Sequence, residues 1–219
     1  MVIDSSTSMS GFKLKQCKQK LIEITGGLRP NDYVTICTFN HQKPVVVIQG
    51  LINVIKRDIA ARVNAMKAQG GTALWDAVVE TVAAAKAHKS KYDHTLMAAR
   101  GKPARRCKLI VLTDGCDEHS TQSFSTAKNI VSKPGFVMEF IMIGIGIGTS
   151  TQNQLKDLCS AVHAKCKCGD ASTGIAEAFH WIKKDIIQEV VSRETFYKPV
   201  VVTKTKKSVK KGQKLFCRR

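Results

Sequence analysis

The run Lys108-Leu109-Ile110-Val111-Leu112-Thr113 constrains this chain more than any other stretch. Side chains alternate between the two faces of a strand, so a continuous apolar run leaves neither face for water. That is the pattern of a parallel strand covered on both sides. The run stops at Asp114-Gly115. A second run of this kind, Phe136 to Ile147, passes into Gly144, Gly146 and Gly148. Two strands buried on both faces require helices above and below a sheet.

The rest of the chain supplies them. Leu14, Cys17, Leu21, Ile24 and Leu28 recur at helical steps across 12–28, and Ile52, Ile55, Ile59, Val63 and Met66 mark a second helix. A third helix is expected from Ala73 to His88 and a weaker one from Ser123 to Ser132. Leu155, Leu158 and Val162 mark a short helix, and Ile175, Phe179, Ile182, Ile186 and Val190 a closing one. Residues 90–106, with Arg100, Lys102, Arg105 and Arg106, read as a basic loop. Tyr33 to Phe39 and Val45 to Ile48 read as strands whose short link through His41-Gln42-Lys43-Pro44 favours antiparallel pairing. His163 to Cys168 reads as a last strand, and Met1 to Ile3 as a very short first one. The alternation predicts a three-layer α/β sandwich around a mostly parallel six-stranded sheet with one antiparallel edge strand.

At 219 residues the chain holds one such domain, expected over 1–192, and a basic C-terminal segment over 193–219. Arg193 to Arg219 carries half of the net charge of +18, the composition of a solvated tail, a linker or the start of a missing domain. No apolar run reaches the roughly 18 residues of a membrane span, and no signal peptide is visible. Eight cysteines without a secretory signal point to free thiols and a cytoplasmic location. Cys159, His163, Cys166 and Cys168 have soft-ligand chemistry but lack the paired spacing of zinc modules.

Oxygen donors are placed differently. Asp4-Ser5-Ser6-Thr7-Ser8 puts a carboxylate and two hydroxyls on alternate residues after the first strand. Gly70-Gly71-Thr72 precedes the third helix, and Thr113-Asp114-Gly115 follows the buried strand. In a parallel sheet, ligands bind at the carboxyl ends of strands near the point where strand order reverses. Each piece has an ordinary reading. Ser6, Ser8 or Thr72 caps a helix, and Asp114-Gly115 is a turn. Asp117 and Glu118 read either as an acidic rim or as solvated loop charges, and Asp76 as a residue that orders its helix turn.

The three loops, in this order, resemble a von Willebrand factor type A (vWA) domain with a complete metal-ion-dependent adhesion site. The resemblance covers about residues 1–190. It includes Leu28-Arg29-Pro30-Asn31-Asp32 before a strand, Gly70-Gly71-Thr72-Ala73-Leu74-Trp75-Asp76-Ala77, and Ile143-Gly144-Ile145-Gly146. It implies a Rossmann-like fold and a divalent cation, Mg²⁺ or Mn²⁺, held by Asp4, Ser6, Ser8, Thr72 and Asp114. It also implies a protein partner that completes the cation with an acidic residue, and binding rather than enzymatic turnover. The family's first strand is longer than the one here, so the expectation is a shortened strand at the start of a fragment or truncated chain.

Two further readings compete. The basic segment makes nucleic-acid or anionic-membrane association an alternative, with the vWA-like domain as carrier. Gly144-x-Gly146-x-Gly148 with Asp170 resembles a dinucleotide fingerprint, but Thr149 stands at the third glycine position. Metal-assisted hydrolysis would need a general base or a second metal close to the first, and His119, one loop histidine near Asp114 in sequence, is poor support for it.

Overall fold

A computed structural model describes residues 1–100, 107–133, 139–162, 164–170 and 174–196. Six strands form one sheet: β1 (Val2–Asp4), β2 (Tyr33–Phe39), β3 (Val45–Leu51), β4 (Lys108–Thr113), β5 (Glu139–Ile145) and β6 (Lys165–Gly169). Their spatial order is β3-β2-β1-β4-β5-β6. β2 pairs with β3 antiparallel, whereas all other neighbours are parallel. Among the described residues, the helices longer than one turn are α1 (Phe12–Gly26), α2 (Ile52–Asn64), α3 (Leu74–Arg100), α4 (Phe124–Ser132), α5 (Thr149–Ala161) and α6 (Gly174–Phe196). A 3₁₀ turn covers Thr7–Met9. The chain divides into two compact units, Met1–Lys183 and Lys184–Arg219.

The sheet is covered on both faces, as the apolar run of β4 requires. On one face Val2, Leu109, Val111, Phe140 and Met142 pack with Leu74, Val78 and Val82 of α3, Ala127 and Val131 of α4, and Leu155 and Leu158 of α5. The alternate residues Ile3, Ile110, Leu112, Ile141 and Ile143 are equally buried and point to the other face. The stripes of α1 (Leu14, Cys17, Leu21, Ile24), α2 and the first half of α6 (Ile175, Phe179, Ile182) are buried as well.

β1 has three residues and lies in the middle of the sheet. Val2 pairs with Cys37 on one side and Val111 on the other. From β1 the chain moves outward to β2 and β3, then crosses back to β4. The reversal of strand order therefore falls between β1 and β4, at the strand ends that carry Asp4 and Asp114.

The third helix does not end at His88. It continues to Arg100, so the basic loop expected from residue 90 is helical over its first part. Nothing between Lys89 and Arg100 breaks a helix; the first glycine and proline are Gly101 and Pro103. Clustered positive charge was the misleading signal. Residues 101–106, the start of the strand expected from Phe136, and 197–219 of the basic segment lie outside the described residues.

Candidate functional site

The sheet brings three loops together at the carboxyl end of β1 and β4. The first is held from both sides. Ser5 donates through its N–H and its hydroxyl to the Phe39 carbonyl, at 2.7 and 2.9 Å. Thr7 donates both its N–H and its hydroxyl to the Gly70 carbonyl, at 2.8 and 2.9 Å, and Gln69 N–H donates to the Ser5 carbonyl at 2.8 Å. The second loop is tied to the third by N–H groups of Glu118 and His119, which donate to the Thr72 carbonyl at 3.0 and 3.1 Å. Gly70 turns the second loop with φ 71°, where a side chain would be strained and would overlap the His41 ring.

Asp4, at the end of β1, is 0% exposed. One of its oxygens accepts from the Ser6 N–H at 2.8 Å, and the other accepts from the Thr113 hydroxyl at 2.7 Å. The Ser6 and Ser8 hydroxyls are 2.8 Å apart, and Ser8 donates to Asp114 Oδ1 at 2.7 Å. Thr72 reaches the same place from the second loop. A Cβ added to Gly115 would lie 2.7 Å from Thr72 Oγ1 and 3.6 Å from Ser8 Oγ. Glycine at 115 is therefore what lets the Thr72 hydroxyl approach the β4 end. All five sequence-selected residues meet at this edge, graded from buried Asp4 and Ser6 to exposed Ser8.

Capping does not explain them. Ser6 precedes the 3₁₀ turn without a side-chain cap bond, and the residue that caps α1 is Gly11. The amino end of α3 is satisfied by other residues. Leu74 N–H donates to Asp117 Oδ1 at 2.7 Å, and Trp75 and Asp76 N–H groups donate to Ser120 Oγ at 2.9 and 3.1 Å. Asp117 thus caps a helix rather than forming an acidic rim. Asp76 accepts from the N–H groups of Thr121 and Gln122, at 2.9 and 2.7 Å, and fixes the loop after β4.

The electrostatics are unbalanced. Burial pushes the Asp4 carboxyl above its ordinary range; hydrogen bonds from Ser6 and Thr113 oppose this, and the nearby Asp114 carboxylate adds to it. One ammonium, Lys13 Nζ, lies 2.5 Å from Asp114 Oδ2. Two buried carboxylates with one cationic side chain, ringed by hydroxyls, form a hard-oxygen donor set that suits a small divalent cation. Among the described residues, no three or more His, Cys, Asp or Glu side chains are grouped to hold a metal. The donors here are two carboxylates and three hydroxyls.

Thr113 and Lys13 were missed from sequence. The signal for Thr113 was a hydroxyl closing an otherwise apolar strand; for Lys13 it was a lysine in the first turn of a helix beside the serine loop. The thiol cluster is a different environment. Cys159 donates to the Lys165 carbonyl at 3.5 Å, and Cys166 and Cys168 pack on the apolar cluster under α5. The Cys166 thiol is pushed up by its hydrogen bond with Cys159 and then by burial; burial first pushes Cys168 up to about 11. His163 lies outside the described residues. At the glycine-rich segment, a Cβ on Gly144 would overlap Ile147 and crowd Leu155. The glycine there makes room for core side chains.

The von Willebrand factor type A domain profile matches residues 1–173. The chain belongs to that family. Its vWA domain is 35% identical over 85 residues to bovine (Bos taurus) inter-alpha-trypsin inhibitor heavy chain H4, covering 37% of this chain and 9% of that protein. The chain thus spans about a tenth of that relative's length. Among solved structures, a von Willebrand factor type A protein from Catenulispora acidiphila superposes with TM-score 0.64 at 19% identity, over 83% of this chain and 40% of that one. The conserved hypothetical protein BatB from Bacteroides thetaiotaomicron gives 0.59 at 13%, over 87% and 97%. At these identities the structural likeness establishes the vWA fold. Among the described residues, no helix is long and apolar enough to cross a membrane.

Proposed function

We propose that this vWA domain is a protein-interaction module whose contact with its partner depends on a divalent cation. Asp4, Ser6, Ser8, Thr72 and Asp114 would hold Mg²⁺ or Mn²⁺, and an acidic residue of the partner would complete the ligand set. The observation that carries this reading is the convergence of the Asp4 and Asp114 carboxylates with the Ser6, Ser8 and Thr72 hydroxyls at the reversal of strand order. The bound cation would supply a Lewis-acidic point for an incoming carboxylate. The chain's own part is to fix the donors: Thr113 and the Ser6 N–H orient Asp4, and the lacing of the three loops holds Thr72 and Ser8 in register. The two carboxylates balance the cation's charge without crowding it, and the neutral hydroxyls leave it electrophilic enough to accept an acidic group of a partner. We read the domain as binding rather than catalytic, because vWA domains are generally interaction modules.

Thermal unfolding tests the reading. A cation that binds only the folded state stabilises it by about 2.7 kcal/mol at 100 times its dissociation constant. For a chain of this size that is a rise of roughly 5–10 °C in melting temperature. Adding Mg²⁺ or Mn²⁺ to chelator-treated protein should produce such a rise. An unchanged melting temperature up to millimolar cation would defeat the proposal.

A further inference from the structure

Lys13 stands where helix electrostatics disfavour a lysine. It is the second residue of α1, whose first turn has no acidic side chain. The amino end of a helix carries a partial positive charge that repels ammonium groups. The Lys13 ammonium nevertheless reaches Asp114 Oδ2 at 2.5 Å. The Asp114 side chain has no exposed surface, and Lys13 retains 28% of its own. Ion pairs elsewhere, such as those of Glu23, Asp32 and Asp157, join carboxylates that are partly exposed. The Lys13 bond is therefore a charge-assisted contact in a shielded place, where it is stronger than a surface pair.

Asp114 has one oxygen on the chain of serine hydroxyls and the other on Lys13. A divalent cation held by Asp4 and Asp114 would face the ammonium across a few ångströms of poorly solvated space, and like charges at that separation repel. The flexible, partly exposed stem of Lys13 allows the ammonium to move into solvent. We propose that Lys13 is a tethered counter-ion that competes with the divalent cation for Asp114, so that cation entry and Lys13 release are one exchange. Lys13 then sets the cation affinity below what the five oxygen donors alone would give, and it holds Asp114 in position when no cation is bound.

This exchange rests on the reading of the donor set as a cation site, and the test separates the two. Mg²⁺ and Mn²⁺ are titrated calorimetrically into the full chain, Lys13→Met and Lys13→Arg. Lys13→Met, which keeps an apolar stem without the charge, should bind on the order of tenfold more tightly, the loss of one charge-assisted competitor. Lys13→Arg should stay near wild type. In chelator Lys13→Met should melt below wild type, because a buried carboxylate has lost its partner, and saturating Mg²⁺ should remove the difference. If Lys13→Met folds poorly, Lys13→Gln replaces it. Unchanged or weaker binding by the neutral variant, with wild-type binding intact, overturns the exchange and leaves the cation site standing. No binding by any of these proteins overturns both.

Discussion

Asp4→Ala is expected to weaken Mg²⁺ and Mn²⁺ binding by more than about 100-fold in calorimetric titration, since even groups that only orient metal ligands cost 10–100-fold. Asp4 is one of only two carboxylates in the donor set, and it sits at the buried end, where water cannot substitute for its charge. The same side chain accepts from the Ser6 N–H and from Thr113, so alanine also loosens the turn that aims Ser6 and Ser8. Asp4→Asn separates the two effects. It keeps an acceptor for the Ser6 N–H, removes the charge, and should lose cation binding almost as fully while folding normally. Equal affinity in wild type and Asp4→Asn would mean that the cation is held elsewhere.

Leu112→Ala is expected to destabilise the domain by about 3 kcal/mol in denaturant or thermal unfolding, the middle of the range for a buried leucine. That corresponds to a drop of roughly 6–12 °C in melting temperature for a domain of this size. Leu112 has no exposed surface and pairs with Ile3 across the centre of the sheet. β1 contributes only three residues there, so the packing that seats Asp4 depends on its neighbours in β4 more than on its own length. A loss under about 1 kcal/mol would show that the centre of the sheet collapses around the gap, contrary to the close packing described.

The strand and helix order was legible because hydrophobic period is strong where elements are covered on one or two faces. Tyr33–Phe39 and Lys108–Thr113 begin and end where their alternation or apolar continuity does. The antiparallel edge followed from the short link through Lys43-Pro44. The end of α3 was not legible, because clustered lysines and arginines describe solvent contact and say little about backbone conformation. In the site, Asp4, Ser6 and Ser8 were readable from alternate spacing within one turn. Thr72 and Asp114 needed the topology, since only the order β2-β1-β4 sets their loops beside the first. Asp117 was ambiguous for a physical reason. A loop carboxylate looks alike in sequence whether it faces water, a cation or the N–H groups of a helix start, and here it takes the last role. Lys13 and Thr113 act through contacts made 101 and 109 residues away, which no local pattern announces.

The central claim is the location of the cation, and Mn²⁺ titration of the isotope-labelled chain by nuclear magnetic resonance tests it most directly. A bound paramagnetic ion broadens the amide signals nearest to it. Ser6, Ser8, Thr72 and Gly115 are expected to lose intensity first. Tyr33, Lys108 and Glu139, at the opposite ends of their strands, should keep theirs. Broadening that starts at Cys166 and Cys168, or that spreads evenly over the domain, would contradict it.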